Sequence, residues 1–386
     1  MYGSSASTLS QPPLLPIYKN DKPTLTSDDV EIPNCPSHMI SSLSWSEARG
    51  RLVLCATSWD GTASAWDVEP QPDASTGRTV NNLNVTPISQ HRSPSGYPVL
   101  CSTVSPQGVL YFGTCDRGVW AETLGGSESG GGPQQVAEHS QPVKSIAWID
   151  EIGVLATGSW DCTTRFWDTR QQQPLAEVNC GAPVQDMDFS TAPLVTILCA
   201  RKTILYDLQS RNVMQEIQPY HAVRHQLRCI ANFKDRTGFA AGSVDGRIMV
   251  HYYADQGNTP PPPGKKSFSF RAHRAEINSS SGQPNSVFPV NGVSCHPLGT
   301  LLSVGGNGSV TTWDKESQDI LQDFKVGYLP LSASALNSAG TLFAFASSYD
   351  WSRGPEHYRT DRSSRLTVKM LKPAHVQPKN RNTASS

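Results

Sequence analysis

Residues 62–67 alternate in character, with Thr62, Ser64 and Trp66 on one side and Ala63, Ala65 and Asp67 on the other. That is the period-two pattern of a strand whose two faces meet different surroundings. Asp60-Gly61 stands just before it, and this dipeptide reaches positive φ at low cost, as a tight hairpin turn requires. The unit then returns. Ser58-Trp59-Asp60-Gly61-Thr62-Ala63-Ser64-Ala65-Trp66-Asp67 aligns with Ser159-Trp160-Asp161-Cys162-Thr163-Thr164-Arg165-Phe166-Trp167-Asp168, sharing Ser, Trp, Asp, Thr, Trp and Asp. A looser copy, Gly305-Gly306-Asn307-Gly308-Ser309-Val310-Thr311-Thr312-Trp313-Asp314, ends in the same Trp-Asp.

Weaker copies fill the intervals at 114–120, 200–207 and 242–252, and a seventh hairpin is expected from 340–348 and 364–370 with a longer loop between them. One such sheet cannot bury both faces alone, whereas a ring of them can. Repeats of roughly 40 to 45 residues make about 300 residues for seven, which this chain supplies. The pattern therefore predicts an all-β fold, a seven-bladed WD-repeat β-propeller over residues 28–371, with Val30-Glu31-Ile32 as the outer strand that closes the last blade. Residues 1–27, rich in Ser, Pro and Thr, are expected to form a disordered arm, and 372–386 a flexible, weakly basic tail. The Gly-rich stretch 125–135 reads as a loop tip. Pro260-Pro261-Pro262-Pro263 reads as a stiff connection with polyproline II character.

Charge changes the picture little. Lys plus Arg number 32 against 33 for Asp plus Glu, so no global basic field draws in nucleic acid and such a role needs a local patch. The nine cysteines are scattered, odd in number and without a Cys-x-x-Cys pair, which disfavours a disulfide framework or zinc site. No N-terminal signal pattern and no membrane-length apolar run is visible, so a cytosolic or nuclear protein is expected. His139, Thr157 or Ser159, Asp161 and Trp167 match the chain of buried polar residues that WD-repeat blades carry, a structural network that satisfies its own members. His221 and His225 lack a helical context and a third ligand for a metal. No nucleophile, base and oxyanion donor converge, so no catalytic residues and no cofactor are expected.

Longer strings carry a more specific resemblance. His225-Gln226-Leu227-Arg228-Cys229-Ile230-Ala231-Asn232-Phe233-Lys234-Asp235, Asp245-Gly246-Arg247-Ile248-Met249-Val250-His251-Tyr252, Phe268-Ser269-Phe270-Arg271-Ala272-His273-Arg274, Trp313-Asp314-Lys315 and Tyr349-Asp350-Trp351-Ser352-Arg353-Gly354 resemble the mRNA export propellers of the nuclear pore, the RAE/Gle family. The likeness spans nearly all of residues 28–373. A sister family, the spindle-checkpoint propellers that carry checkpoint kinases to kinetochores, shares the fifth-blade Gly-Arg strand. The Tyr349 to Gly354 segment, Trp313-Asp314-Lys315 and Asp168-Thr169-Arg170 favour the export family.

This resemblance implies a non-enzymatic adaptor that receives a GLEBS motif, a short segment with paired glutamates, from a GLFG-repeat nucleoporin, and that contacts messenger ribonucleoprotein. It implies a nuclear, pore-associated protein that shuttles to the cytoplasm. Arg247, just after the Asp245-Gly246 turn, is the candidate cation for the glutamate pair. Trp59, Trp160, Tyr349 and Trp351 are candidate aromatic anchors at turns and loops. Phe270, Arg271, Trp313 and Lys315 match the family's basic and aromatic side patch and are candidates for RNA contact. Gln318 and Ile320 stand where the family tends to be basic, which weakens that patch.

Overall fold

The repeated turn and alternating strand build seven four-stranded antiparallel sheets. Six of the sheets run in chain order from an inner strand outwards, the seventh does so for three strands, and the inner strands begin at Ile40, Val99, Val143, Val184, Leu227, Val290 and Leu331. The computed structural model describes residues 29–72, 79–125, 132–191, 194–253, 266–274, 286–327, 329–352, 354–358 and 363–379. The expected arm at 1–27, the centre of the Gly-rich loop, Pro260 to Pro263 and residues 380–386 lie outside them.

The seventh sheet is completed from the other end of the chain. Asp29–Glu31 pairs with Thr367–Lys369, and Ile32 N–H donates to the Leu366 carbonyl at 2.8 Å. Lys369 Nζ and Asp29, both buried, form an ion pair at 2.7 Å in this seam. A strand of three residues so joins both ends of the sequence in one sheet.

Apolar residues gather between blades more than within them. Phe166 and Val178 of the third blade pack with Val184, Ile197 and Tyr206 of the fourth, and Leu54 and Trp66 of the first pack with Ala344, Leu366 and Val368 of the seventh. Alternation places one side of every sheet on each neighbour, which is why whole strands such as Val154–Ser159 and Thr300–Gly305 are buried throughout.

Two blades carry a four-membered polar chain. In the third, Trp167 Nε1–H donates to Thr157 Oγ1 at 2.8 Å, Thr157 bonds His139 Nε2 at 2.7 Å, and His139 Nδ1 bonds Asp161 at 2.9 Å. Thr157 occupies the hub. Ser159 instead donates to the Gln141 and Pro142 carbonyls. The sixth blade repeats the arrangement with Trp313, Ser303, His273 and Asn307, at 2.8, 2.9 and 2.9 Å. The first blade, although closest in sequence to the third, has Ala56 at the hub register, and Trp66 Nε1 donates to the Pro33 carbonyl instead.

The tail departs from expectation. Pro373–Val376 forms one helical turn, Val376 is buried, and the His375 and Val376 carbonyls accept from Thr312 and Thr300 at 2.8 and 3.0 Å. Lys379 pairs with Asp319 at 3.0 Å. Residues 372–379 are therefore packed on the sixth blade, because a buried Val and two side-chain donors hold them there.

Replacing Thr157 by Val keeps the shape and removes the hub hydroxyl, leaving the buried His139 Nε2 and Trp167 Nε1–H without it. The loss is expected at about 1–3 kcal/mol, read as a lower denaturation midpoint. An unchanged midpoint would show the network to be incidental.

Candidate partner-binding face

In an antiparallel blade, the turn joining the second and third strands and the connection arriving at the inner strand lie at the same end. A repeated bond fixes that end. The first residue of the turn donates its N–H to the residue preceding the inner strand: Trp59 to Met39, Cys115 to Pro98, Trp160 to Pro142, Val244 to Gln226, Gly306 to Pro289 and Ser348 to Pro330, all at 2.9–3.0 Å. Trp59, Trp160 and Trp351 are brought to this one face and are 43%, 37% and 42% exposed. Trp351 stacks on Tyr358, with ring centroids 5.0 Å apart, and Tyr349 meets it edge-on at 5.5 Å. The Tyr349 hydroxyl is spent on the Gly354 carbonyl at 2.7 Å, so Tyr349 shapes the loop beneath Trp351. Trp351 holds φ at 59°, a left-handed conformation unusual for a bulky residue.

Arg247 opens the third strand of blade five on the same face. Its Nε lies 3.7 Å from Asp245, its register partner on the outer strand is Arg271, and Arg274 donates to the Asp245 carbonyl at 3.2 Å. Burial, and then the charges of Arg247 and Arg271, push the Arg274 guanidinium below its ordinary pKa. Three guanidinium groups thus share the neighbourhood of Asp245, a rim with surplus positive charge. Arg274 stands in the string that carries the resemblance but was given no role there. Its spacing from Arg271 carried no signal without the register that sets Arg271 beside Arg247.

Comparison with known proteins follows the same lines. The family model "WD domain, G-beta repeat" matches residues 132–168, which take in the outer strand of the second blade and the first three strands of the third. The WD40 repeat protein poxJ of Penicillium oxalicum is 32% identical over 360 residues, covering 91% of this chain and 96% of that one. The mRNA export factor of Xenopus tropicalis is 32% identical over 352 residues, 88% and 89% of the two chains. Protein Rae1 of Drosophila melanogaster is 30% identical over 351 residues, 89% and 94%. The chain belongs to the mRNA export factor family, the Rae1 propellers. The solved structure of U3-55K superimposes with a TM-score of 0.66 at 14% identity, covering 91% of this chain and all of that one, a likeness of fold alone.

The Rae1-type side patch needs correction. Phe270, Trp313 and Lys315 are buried, at 6%, 3% and 4% exposure. Phe270 and Trp313 pack on each other at 5.1 Å, and the Trp313 N–H is committed to Ser303. Lys315 Nζ lies 4.0 Å above the Phe233 ring and 3.8 Å from Asp235. None of the three presents a face to a base. Arg271 alone of the four is exposed. The strand pattern located these side chains correctly along the chain, but which side of a blade meets its neighbour is decided by the ring.

The central channel of this Rae1-family propeller holds two carboxylates on one strand, both engaged in joining blades. Asp186 accepts from Ile230 N–H at 3.0 Å and Asp188 from Asn232 N–H at 2.6 Å. Burial raises both pKa values, Asp188 to about 6. Elsewhere, burial raises the Asp161 carboxyl, but hydrogen bonds from Thr163 and Ser140 and the His139 contact outweigh it and hold the carboxyl at about 2. Burial lowers His251 and His273 to about 4. The nine cysteines are free thiols, and burial pushes Cys55, Cys101 and Cys229 up to about 12, which makes them poor nucleophiles. Among the described residues, no group of three or more His, Cys, Asp or Glu is placed to hold a metal.

These shifts oppose each other. Asp188, raised in the fold, adds stability that is full below about pH 4 and lost as pH rises through 6. His251 and His273, depressed in the fold, add stability present above about 6.5 and lost as pH falls towards 4. Asp188→Asn keeps an acceptor for Asn232 and removes the first contribution. Its melting temperature should fall more steeply than wild type between pH 6.5 and 4.5, and parallel profiles would remove Asp188 from the balance.

Proposed function

We propose that this propeller is a non-enzymatic adaptor in nuclear mRNA export, docking the GLEBS motif of a GLFG-repeat nucleoporin on its turn-bearing face at the nuclear pore. The relatives named mRNA export factor support the process. The observation that carries the docking is Arg247 beside the Asp245 carboxylate, with Arg271 its register partner and Arg274 donating to the Asp245 backbone carbonyl, on the face that exposes Trp59, Trp160 and Trp351. A segment with paired glutamates finds there a guanidinium held by its own turn, so little side-chain entropy is lost on pairing. Exposed indoles supply apolar area around it, the usual composition of interface anchors.

Contact with messenger ribonucleoprotein falls to Arg271, with Phe270, Trp313 and Lys315 shaping the wall behind it. A single exposed cation gives weak electrostatic attraction to a phosphate backbone. RNA association thus depends on basic residues that the docked partner brings alongside, through their raised effective concentration. The protein on this reading resides at the nuclear envelope and shuttles to the cytoplasm.

Arg247→Glu sets a like charge against the glutamate pair. Affinity for a GLEBS peptide should fall by about 2–5 kcal/mol, roughly thirty-fold or more, with an unchanged circular dichroism spectrum. Tagged protein from cells should recover the nucleoporin in wild type and lose it in the variant. Equal recovery by both would exclude Arg247 from the interface, and recovery of checkpoint kinases instead would redirect the function to the kinetochore.

A further inference from the structure

The outer strand of a blade is bonded in its sheet on one side and bare on the other, which makes it a template for a further strand. Several of these edges carry charge or are met by other parts of the chain. Glu138 pairs with Arg117 on the second blade and Glu177 with Arg165 on the third. On the sixth, Asp319, Asp323 and Lys325 stud the strand, and Lys379 of the tail pairs with Asp319. The fourth blade differs. Its outer strand, Asn212–Ile217, sets Val213 and Met214 side by side at 46% and 40% exposure. Among the described residues, no other outer strand exposes two large apolar side chains in succession.

Apolar contacts continue from this pair into the third blade. Val213 stands opposite Tyr206, the Tyr206 ring stacks on Phe166 with centroids 5.5 Å apart, and Leu175, 40% exposed, donates its N–H to the Phe166 carbonyl. Met214 is passed over by the register, since Gln215 pairs with Leu205 and Val213 with Tyr206. The order of residues then indicates what covers the edge. Arg211-Asn212-Val213-Met214-Gln215-Glu216 is complementary to its own reverse. When two copies run antiparallel about a point between Val213 and Met214, Arg211 meets Glu216, Asn212 meets Gln215 and Val213 meets Met214, and each contact occurs twice, as a twofold axis requires. Opposite charges facing across antiparallel strands stabilise the pair, and like charges there destabilise it. Lys202 already steadies the Glu216 carboxylate at 2.9 Å, which lowers the side-chain entropy still to be lost on meeting a guanidinium.

We propose that the outer edge of the fourth blade is a homodimer interface, in which two copies of this chain pair their Asn212–Ile217 strands antiparallel and join two four-stranded sheets into one. Contact through so short a strand falls below the area of a standard stable interface. The dimer is therefore weak and forms as concentration rises. Asn212 lies at the end of the blade opposite the turn-bearing face, and the strand climbs from there towards that face. Antiparallel pairing thus points the two turn-bearing faces in opposite directions and leaves both open, so one dimer holds two partner segments at once.

Sedimentation velocity of the full chain over a concentration series tests the interface, and it needs no nucleoporin segment, so its outcome stands apart from GLEBS docking. Wild type should show a sedimentation coefficient that rises with concentration. Arg211→Glu and Glu216→Arg each place like charges opposite one another twice in the symmetric pair, and each alone should weaken association about ten-fold or more. Mixed in equal amounts, the two variants should associate as wild type does, because each reversed charge then faces its opposite. Met214→Lys should remove association while the melting temperature is kept. A wild-type coefficient that stays constant up to near-millimolar concentration, single variants that associate like wild type, or a mixture that associates no better than its parts overturns the proposal.

Discussion

A four-stranded sheet with two apolar faces has no stable existence in water, so each blade here depends on the one beside it. That dependence must close on itself, and the closure rests on Asp29–Glu31 pairing with Thr367–Lys369. Were that strand to leave, Arg365–Met370 would become a bare edge, and the seam where Leu54 and Trp66 meet Leu366 and Val368 would lose its outermost cover. The position of every turn on the turn-bearing face follows from the same closure, since a ring fixes the angle between blades that an open array leaves free.

The channel wall shows how the ring is drawn together locally. A first inner-strand carbonyl in five of the seven blades accepts a side-chain hydrogen bond from the preceding blade. The fourth blade uses buried carboxylates instead, which ties its attachment to pH. Structural polar groups and the groups available to a ligand thus separate cleanly. Thr157, Ser303 and their networks are buried and internally bonded, whereas Arg247 and Trp351 stand on one face.

The fold was legible because turn chemistry and alternation repeat. Asp60-Gly61, Asp245-Gly246 and Asn307-Gly308 mark hairpins by backbone preference alone, and each hairpin fell where it was expected. The third-blade network was legible from His139, Asp161 and Trp167. Its twin in the sixth blade was hidden, because His273 and Ser303 stand 30 residues apart, against 18 for His139 and Thr157, and Asn307 supplies the turn oxygen in place of Asp. The side patch was misread for another reason. Period two tells which residues share a side of a strand, but Phe270 and Trp313 are buried through contacts with each other and with the adjoining blade, a relation absent from local pattern. The register slip after the first residue of each inner strand left no composition signal either, since Ser, Leu, Lys, Gln, Arg and Asn all occupy the second position.

The central claim is that one face, the end bearing the second-to-third-strand turns, receives the partner segment. Hydrogen exchange measured on the full chain, free and bound to a GLEBS peptide, tests it directly. The account predicts slowed exchange at residues 58–62, 159–163, 243–247 and 348–352, and no change in the hairpins at the opposite end, such as 149–154 and 295–300. Protection confined to that opposite end, or to the outer strands, would contradict it.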